Sequence, residues 1–443
     1  MKSNILRLQE TGLAATDILI PKKVHDLSKW AVVACDQYTS EPEYWEEVAK
    51  EVGDEPSTLN LIFPEVYLGQ NDALRIKRIN ATMDRYLQEG IFDTYEHSIF
   101  LIRRTTPVNP AGRWGLVAAL DLEQYDYSPD SKSPVRATEG TILERIPPRK
   151  EIRRDAPLEL PHILVLIDDE EKTVIEPLIA ETGTLEKVYD VELMQNGGHI
   201  TAFRIHTEAL QAQITAALQK LASPAHAKAR YGVNETLLYA MGAGNHSLAT
   251  AKSCWEDIKQ GLSPDEQADH PARFALVEIE NIYDPGITFE PIHRVLFNSD
   301  INAFLTLLGR FCEGYSMTAV DSLEKMDSML SDDSIQCFGL KTAEQFAVVR
   351  LEGPSAEIAA GTLQLAIDAL LEEQNDSEVD YTHGEAVTAS LGERQGNIAL
   401  FLPAISKAHF FQAIVSDGAL PRKTFSMGEA AEKRYYMEAR GIR

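Results

Sequence analysis

Residues 235–252 read ETLLYAMGAGNHSLATAK. ETLLYAM has the length and apolar content of a buried strand, and LATAK begins a helix. Between them, Gly242 and Gly244 permit a sharp turn and a close approach of backbone. Asn245 and Ser247 are residue types that cap helices. A helix N-terminus presents free N–H groups and a partial positive charge, which suit a phosphate or a carboxylate. His246 sits at that mouth and could donate a hydrogen bond to the anion. The spacing matches neither the P-loop nor the dinucleotide fingerprint. A plain strand-to-helix turn with a solvated histidine therefore stands beside the anion-site reading.

Strand and helix patterns alternate outward from this segment in both directions, which predicts an α/β (mixed α+β) architecture. AVVAC (31–35) reads as a buried strand. Ser40 and Glu43 have the spacing of a capping box, followed by Trp45, Val48 and Val52 on one helical face. A second helix spans 72–89. SIFLIR (98–103), WGLVAALDL (114–122) and HILVLID (162–168) read as strands. Asn196-Gly197-Gly198 joins two further runs into a hairpin. Residues 207–222 read as an amphipathic helix. The pattern restarts after about residue 299, with strands at 335–340, 345–351 and 397–405 and helices at 302–314, 361–372 and 408–418. These shifts predict domains at 1–155, 156–298 and 299–443.

The chain has 443 residues, with 68 Asp plus Glu against 42 Lys plus Arg, for a net charge of −26. So acidic a chain lacks the basic stripe that a nucleic-acid binder needs, and it does not suit an anionic membrane. Net charge does not exclude a local basic pocket for a small anion. The opening MKSNILRLQETG carries no apolar signal core, and no run has the length of a membrane span. Cys35, Cys254, Cys312 and Cys337 show no CxxC spacing and read as reduced thiols. Together these features predict a cytoplasmic protein whose partners are small molecules.

Four further segments carry candidate chemistry. VRATEGTILERIPPR (135–149) gathers Arg136, Arg145 and Arg149 around Glu139. Arginine forks match phosphate and carboxylate oxygens, and a carboxylate such as Glu139 can act as general base. A surface ion-pair lattice is the alternative. DPGITFEPIHRVLF (284–297) suggests an edge strand, with His293 and Arg294 pointing to opposite faces. There Arg294 either meets a ligand or pairs with a structural carboxylate. DGALPRKTFSMG (417–428) holds Arg422 and Lys423 in a polar basic loop or charged tail. ACDQYTSEPEYW (34–45) places Cys35 and Asp36 after a buried run, where α/β proteins tend to bind ligands. Cys35 lacks a histidine at any diagnostic spacing and reads as structural rather than nucleophilic. No zinc or calcium motif is present, and a Mg²⁺ site, needing only one or two carboxylates plus phosphates, would leave little trace.

Taken in order, CDQYTSEPEYW, ATEGTILERIPPR, GAGNHSLATAK, DPGITFEPIHR and LPRKTFSMG resemble the bacterial and archaeal family catalogued as domain of unknown function 1015. Gly244, His246 and Ala251 match that family's Asp-Gly-His-His-Arg element and the helix start after it. Ala243, Asn245 and Ser247 replace its Asp, its other His and its Arg. PIHR resembles the family's Pro-Thr-His-Arg, and LPRKTF its Met-Pro-x-Lys-Ser-Thr. The Gly-His-His-Arg element is in turn similar to loops of ParB-like and sulfiredoxin-like proteins, some of which phosphorylate free serine. The resemblance implies a ParB-like nucleotide-binding core with additional α/β domains. It also implies transfer of a phosphoryl group from ATP or ADP, with Mg²⁺, to the hydroxyl of a small substrate, most specifically free L-serine. On that expectation Gly242, Gly244, Asn245, His246, Ser247, Arg145, Arg149, His293, Arg294, Arg422 and Lys423 bind phosphate or nucleotide. Glu139, His246 and Asp36 serve the chemistry, and the chain is a candidate homodimer. The alternative is a nucleotide-binding regulatory protein without turnover.

Overall fold

The computed structural model describes residues 5–330 and 335–443; residues 1–4 of the opening segment lie outside them. The structure is mixed α/β and divides into two units. Unit 1 comprises Met1–Ala137, Thr141–Ile287 and Gly428–Arg443, and unit 2 comprises Thr138–Gly140 and Thr288–Met427.

Unit 1 is organised by the strand Phe274–Asn281, FALVEIEN, which is buried at every residue. A strand buried on both faces must be covered on both. It pairs in parallel with Leu164–Ile167 and antiparallel with Arg113–Asp121, inside a mixed sheet of eleven strands among the described residues. Successive residues serve opposite faces, as strand geometry requires. Leu116, Ala118, Val277 and Ile279 enter one core, and Val117, Leu276, Phe100 and Ile102 the other. Helix Asp72–Gln88 covers the second face with Ile79, Met83 and Tyr86. Helices Glu208–Leu221 and Asn245–Lys259 cover the first with Ile214, Leu218, Leu248 and Trp255.

The hairpin forms as read, with Glu186–Leu193 against Gly198–Ile205; Gln195, Asn196 and Gly198 carry the positive φ angles of its turn. Two local readings change. AVVAC is buried from Ala31 to Ala34 but joins no ladder. It runs beside the C-terminal segment, where Ala34 donates to the Lys433 carbonyl at 2.7 Å and Tyr435 to that of Val32 at 3.0 Å. The helix after it begins at Pro42 with Glu41 at its cap and no side-chain capping bond, so Ser40 and Glu43 form no capping box. Proline prefers the first helical position and sets the boundary there.

Among its described residues, unit 2 is built on six antiparallel strands in the order Gly314–Val320, Phe346–Glu352, Cys337–Lys341, Ile398–Phe401, His293–Phe297 and Glu378–Thr382. His293–Phe297 is paired on both sides, not at an edge. Pro291 ends the separate short strand Phe289–Pro291, so the missing N–H of proline never interrupts the central ladder. Among the described residues of the chain, no helix is long and apolar enough to cross a membrane.

Charge is also buried in unit 1. Glu278 and Glu280 are 2% and 0% exposed, and Glu438 is 0% exposed. Arg113 pairs with Glu280 and donates to the Tyr436 hydroxyl at 2.8 Å. Tyr189 donates to Glu438 at 2.8 Å, while Oε2 of Glu438 has no partner. Burial pushes the Glu438 carboxyl up to about 7. The folded state thus holds a proton that the unfolded chain releases above its ordinary value of 4.5. Stability from this group is complete below that value and is lost as pH rises through the folded value. Urea midpoints should therefore fall between about pH 5 and about pH 8, and the neutral Glu438→Gln variant should show a shallower fall.

Candidate functional site

In unit 1, the glycine turn places its residues one after another. Strand Tyr239–Ala243 contains Gly242 and leads into Gly244, which caps the helix at φ +85°. The helix begins at Asn245, earlier than the sequence pattern suggests, because a left-handed glycine can turn the chain directly from strand to helix. Neither Asn245 nor Ser247 caps it. Asn245 Oδ1 is instead buried without a partner. His246 Nε2 accepts the Ile142 N–H at 3.3 Å, so its ring proton sits on Nδ1, and any donation to an anion runs through that nitrogen.

Ser247 meets His162 Nε2 at 2.8 Å, and His162 Nδ1 is buried without a partner. Burial, opposed by the Asp36 charge, leaves the His162 imidazole below its ordinary value and so neutral near pH 7. For the Asp36 carboxyl, burial pushes upward, but His162, a hydrogen bond from Gln37 and Lys433 outweigh it and hold it low. Arg149 pairs with Glu65 and donates to the Arg145 carbonyl at 2.8 Å. Arg145 is exposed, and its charge is felt at the same Glu65. Burial and the neighbouring Asp36 raise the Cys35 thiol to about 12. A thiol in that range is protonated and a poor nucleophile, which argues against Cys35 as a reactive group.

Unit 2 gathers candidates from three separated segments. Glu139 bridges to Leu420, whose N–H donates to the Thr138 carbonyl at 2.8 Å. Lys423 adopts φ +56°, and the backbone N–H groups of Lys423 and Thr424 favour the charged form of the Glu139 carboxyl. Burial nevertheless raises the Glu139 carboxyl, against those N–H groups and the charges of Arg422 and Arg294. Arg294 is 0% exposed, and its Nε and Nη2 have no partner. Its guanidinium lies 5.3 Å from the Tyr381 ring centre, and Lys423 Nζ lies 5.3 Å from the same centre. Burial lowers the Arg294 guanidinium to about 10, still charged at neutral pH.

His293 takes the other face of its strand. It lines a cavity of about 440 Å³ with Asp327, Glu385 and Ser406. Its Nδ1 accepts the Leu402 N–H at 3.2 Å. Burial, Arg294 and His383 push its imidazole down to about 4, so it is neutral.

The arrangement can thus do two things. Unit 1 presents a glycine-capped helix start beside Ser247, His162 and Arg149. Unit 2 presents a carboxylate in the field of a buried guanidinium whose Nε and Nη2 have no partner. Among the described residues no group of three or more histidine, cysteine or acidic side chains could hold a metal. Sequence reasoning did not single out His162, Glu65 or Tyr381. His162 touches Ser247 across 85 positions, and no local pattern marks that contact.

A family model described as protein of unknown function (DUF1015) matches residues 18–370. No curated protein matches the chain. Among solved structures, a conserved hypothetical protein from Pyrococcus furiosus is similar at 11% identity and TM-score 0.34, covering 74% of this chain and 95% of that one. A free serine kinase in complex with AMP is similar at 10% identity and TM-score 0.37, covering 74% and 91%. SbnI with a C-terminal truncation, from Staphylococcus aureus, is similar at 9% identity and TM-score 0.35, covering 70% and 82%.

Gly244 offers a test of the turn. A Cβ there would lie 3.1 Å from Ile163 Cα, on a backbone that side chains rarely adopt. Gly244→Ala should cost at least about 1 kcal/mol in urea unfolding. Gly140→Ala, where a Cβ meets nothing within 4 Å, should cost much less.

Proposed function

The chain belongs to the DUF1015 family, and from that premise we infer that it is a nucleotide-dependent small-molecule kinase. The reaction moves a phosphoryl group from ATP or ADP to the hydroxyl of a small acceptor, with free L-serine the first candidate. The observation that carries this reading is the unit 2 cluster. Glu139, Arg294 and Lys423 come from distant segments, yet Glu139 stands beside a fully buried arginine with two unpartnered donors. A buried guanidinium with no ion-pair contact and two unpartnered donors is costly, and an anion seated on it would offset that cost.

Phosphoryl transfer asks a protein mainly for placement and for stabilisation of charge. The nucleotide supplies the phosphoryl group. Arg294 and Lys423 would hold anionic oxygens of the bound substrates. Glu139, its carboxyl raised by burial, is suited to take the acceptor hydroxyl's proton. In unit 1 the N–H groups at the start of helix Asn245–Lys259, with His246 and Arg149, suit nucleotide phosphates. Asp36 is the second candidate for proton transfer, although its lowered carboxyl makes it the weaker base. Mg²⁺ would be held largely by phosphate oxygens with one or two carboxylates.

A second reading, nucleotide binding without turnover, is favoured by one observation: the Ser247 hydroxyl is already engaged with His162.

Purified protein with ATP or ADP, Mg²⁺ and a panel of hydroxy amino acids should yield a phosphorylated product detectable by mass spectrometry. Glu139→Gln should lower kcat by about 10²-fold or more while nucleotide binding persists. Nucleotide binding without any product would select the second reading. Absence of both binding and product would dismiss both.

A further inference from the structure

Unit 1 contains a cavity of about 150 Å³ beneath the start of helix Asn245–Lys259. Its walls are mainly apolar, with Phe63, Met83, Ile152, Ile163 and Leu276 among them. The polar lining is largely spoken for. Glu65 pairs with Arg149, and Glu159 with Arg153 and Arg440. The exception is His162, whose Nδ1 is buried without a partner while Nε2 is engaged with Ser247. Ser247 and Thr250 line the same cavity from the first turns of the helix.

These features describe the ligand they would take. The apolar walls favour a body that gains by leaving water. A purely aliphatic body would leave His162 Nδ1 unsatisfied, at the cost of a buried orphan group. A planar heteroaromatic ring offers both apolar faces and a polar edge to meet that nitrogen. The adjoining helix start favours a ligand that also carries negative charge.

We propose that this cavity receives the nucleobase of a bound nucleotide, with the polar edge of the base on His162. The assignment rests on the nucleotide-dependent reading above and adds to it the place where the base is recognised. It makes His162, Ile163 and Phe63 determinants of base binding, whereas none of them belongs to the glycine turn.

The test compares ADP, adenosine and pyrophosphate by calorimetry on the full chain. Leu68 lines the cavity yet is 37% exposed, so Leu68→Trp narrows it without disturbing a closed core. Leu160→Trp, at a second half-buried lining position, provides an independent obstruction. The wild-type protein should bind ADP at least about tenfold more tightly than pyrophosphate, about 1.4 kcal/mol. Adenosine should bind measurably. Both tryptophan variants should lose adenosine binding and reduce ADP to the pyrophosphate level, with pyrophosphate itself unchanged. If ADP keeps its advantage in both folded variants, the base binds elsewhere, and the cavity assignment is overturned while the nucleotide reading stands. Equal binding of ADP and pyrophosphate by the wild type overturns it in the same way. If neither binds, the nucleotide reading falls and this assignment falls with it.

Discussion

Glu278 and Glu280 point from a strand that has no solvent on either face, and their charge must be answered inside the protein. Alternation along the strand sends Val277 and Ile279 to the opposite core, so the two carboxylates share one side. Arg113, on the neighbouring antiparallel strand, supplies the cation. Gly115 on that strand is required to be small, since a Cβ there would collide with the Glu278 carboxylate. Tyr436 and Glu438 then come from the far end of the chain to complete the cluster. Breaking such a network on one side leaves uncompensated buried charge, which typically costs several kcal/mol. The return of Gly428–Arg443 to unit 1 is therefore tied to electrostatics as much as to apolar burial.

The same C-terminal segment explains why part of the sequence reads ambiguously. AVVAC has the composition of a strand, but its partners are Lys433 and Tyr435, some four hundred positions away in the chain, and they form hydrogen bonds without a ladder. Local patterns report burial and period. They do not report which distant segment satisfies the backbone. Helices with a clear apolar face, such as Asp72–Gln88 and Glu208–Leu221, were legible because their period alone specifies them. The start of the helix at Asn245 was less so, because a left-handed glycine can begin a helix without help from a capping side chain.

Candidate chemistry was legible as residue types and not as neighbourhoods. Glu139, Arg294, Arg422 and Lys423 stood out as charges in unusual local company, and unit 2 brings them into one electrostatic cluster. His293 is adjacent to Arg294 in sequence but serves the opposite face, where it is neutral and lines a separate cavity. Sequence adjacency on a strand separates side chains, whereas a backbone turn at Lys423 joins Glu139 to residues nearly three hundred positions away. His162 was silent for the same reason. It precedes an apolar strand, and its contact with Ser247 exists only in three dimensions.

Despite the acidic balance of the chain, Arg294 is one of several arginines buried without an ion pair. With 68 acidic side chains against 42 basic ones, carboxylates to neutralise an arginine are abundant. Arg113, Arg149, Arg153, Arg273 and Arg440 use them as ion-pair partners, whereas Arg104, Arg136 and Arg434 are buried with unpartnered donors and, among the described residues, no ion pair. Arg294 is fully buried and makes no such pair, although its charge and the backbone N–H groups of Lys423 and Thr424 favour the charged form of the Glu139 carboxyl. What distinguishes Arg294 among these buried arginines is its company, since Glu139, Tyr381 and Lys423 lie in the same electrostatic cluster, and it is this company that supports the phosphoryl-transfer reading.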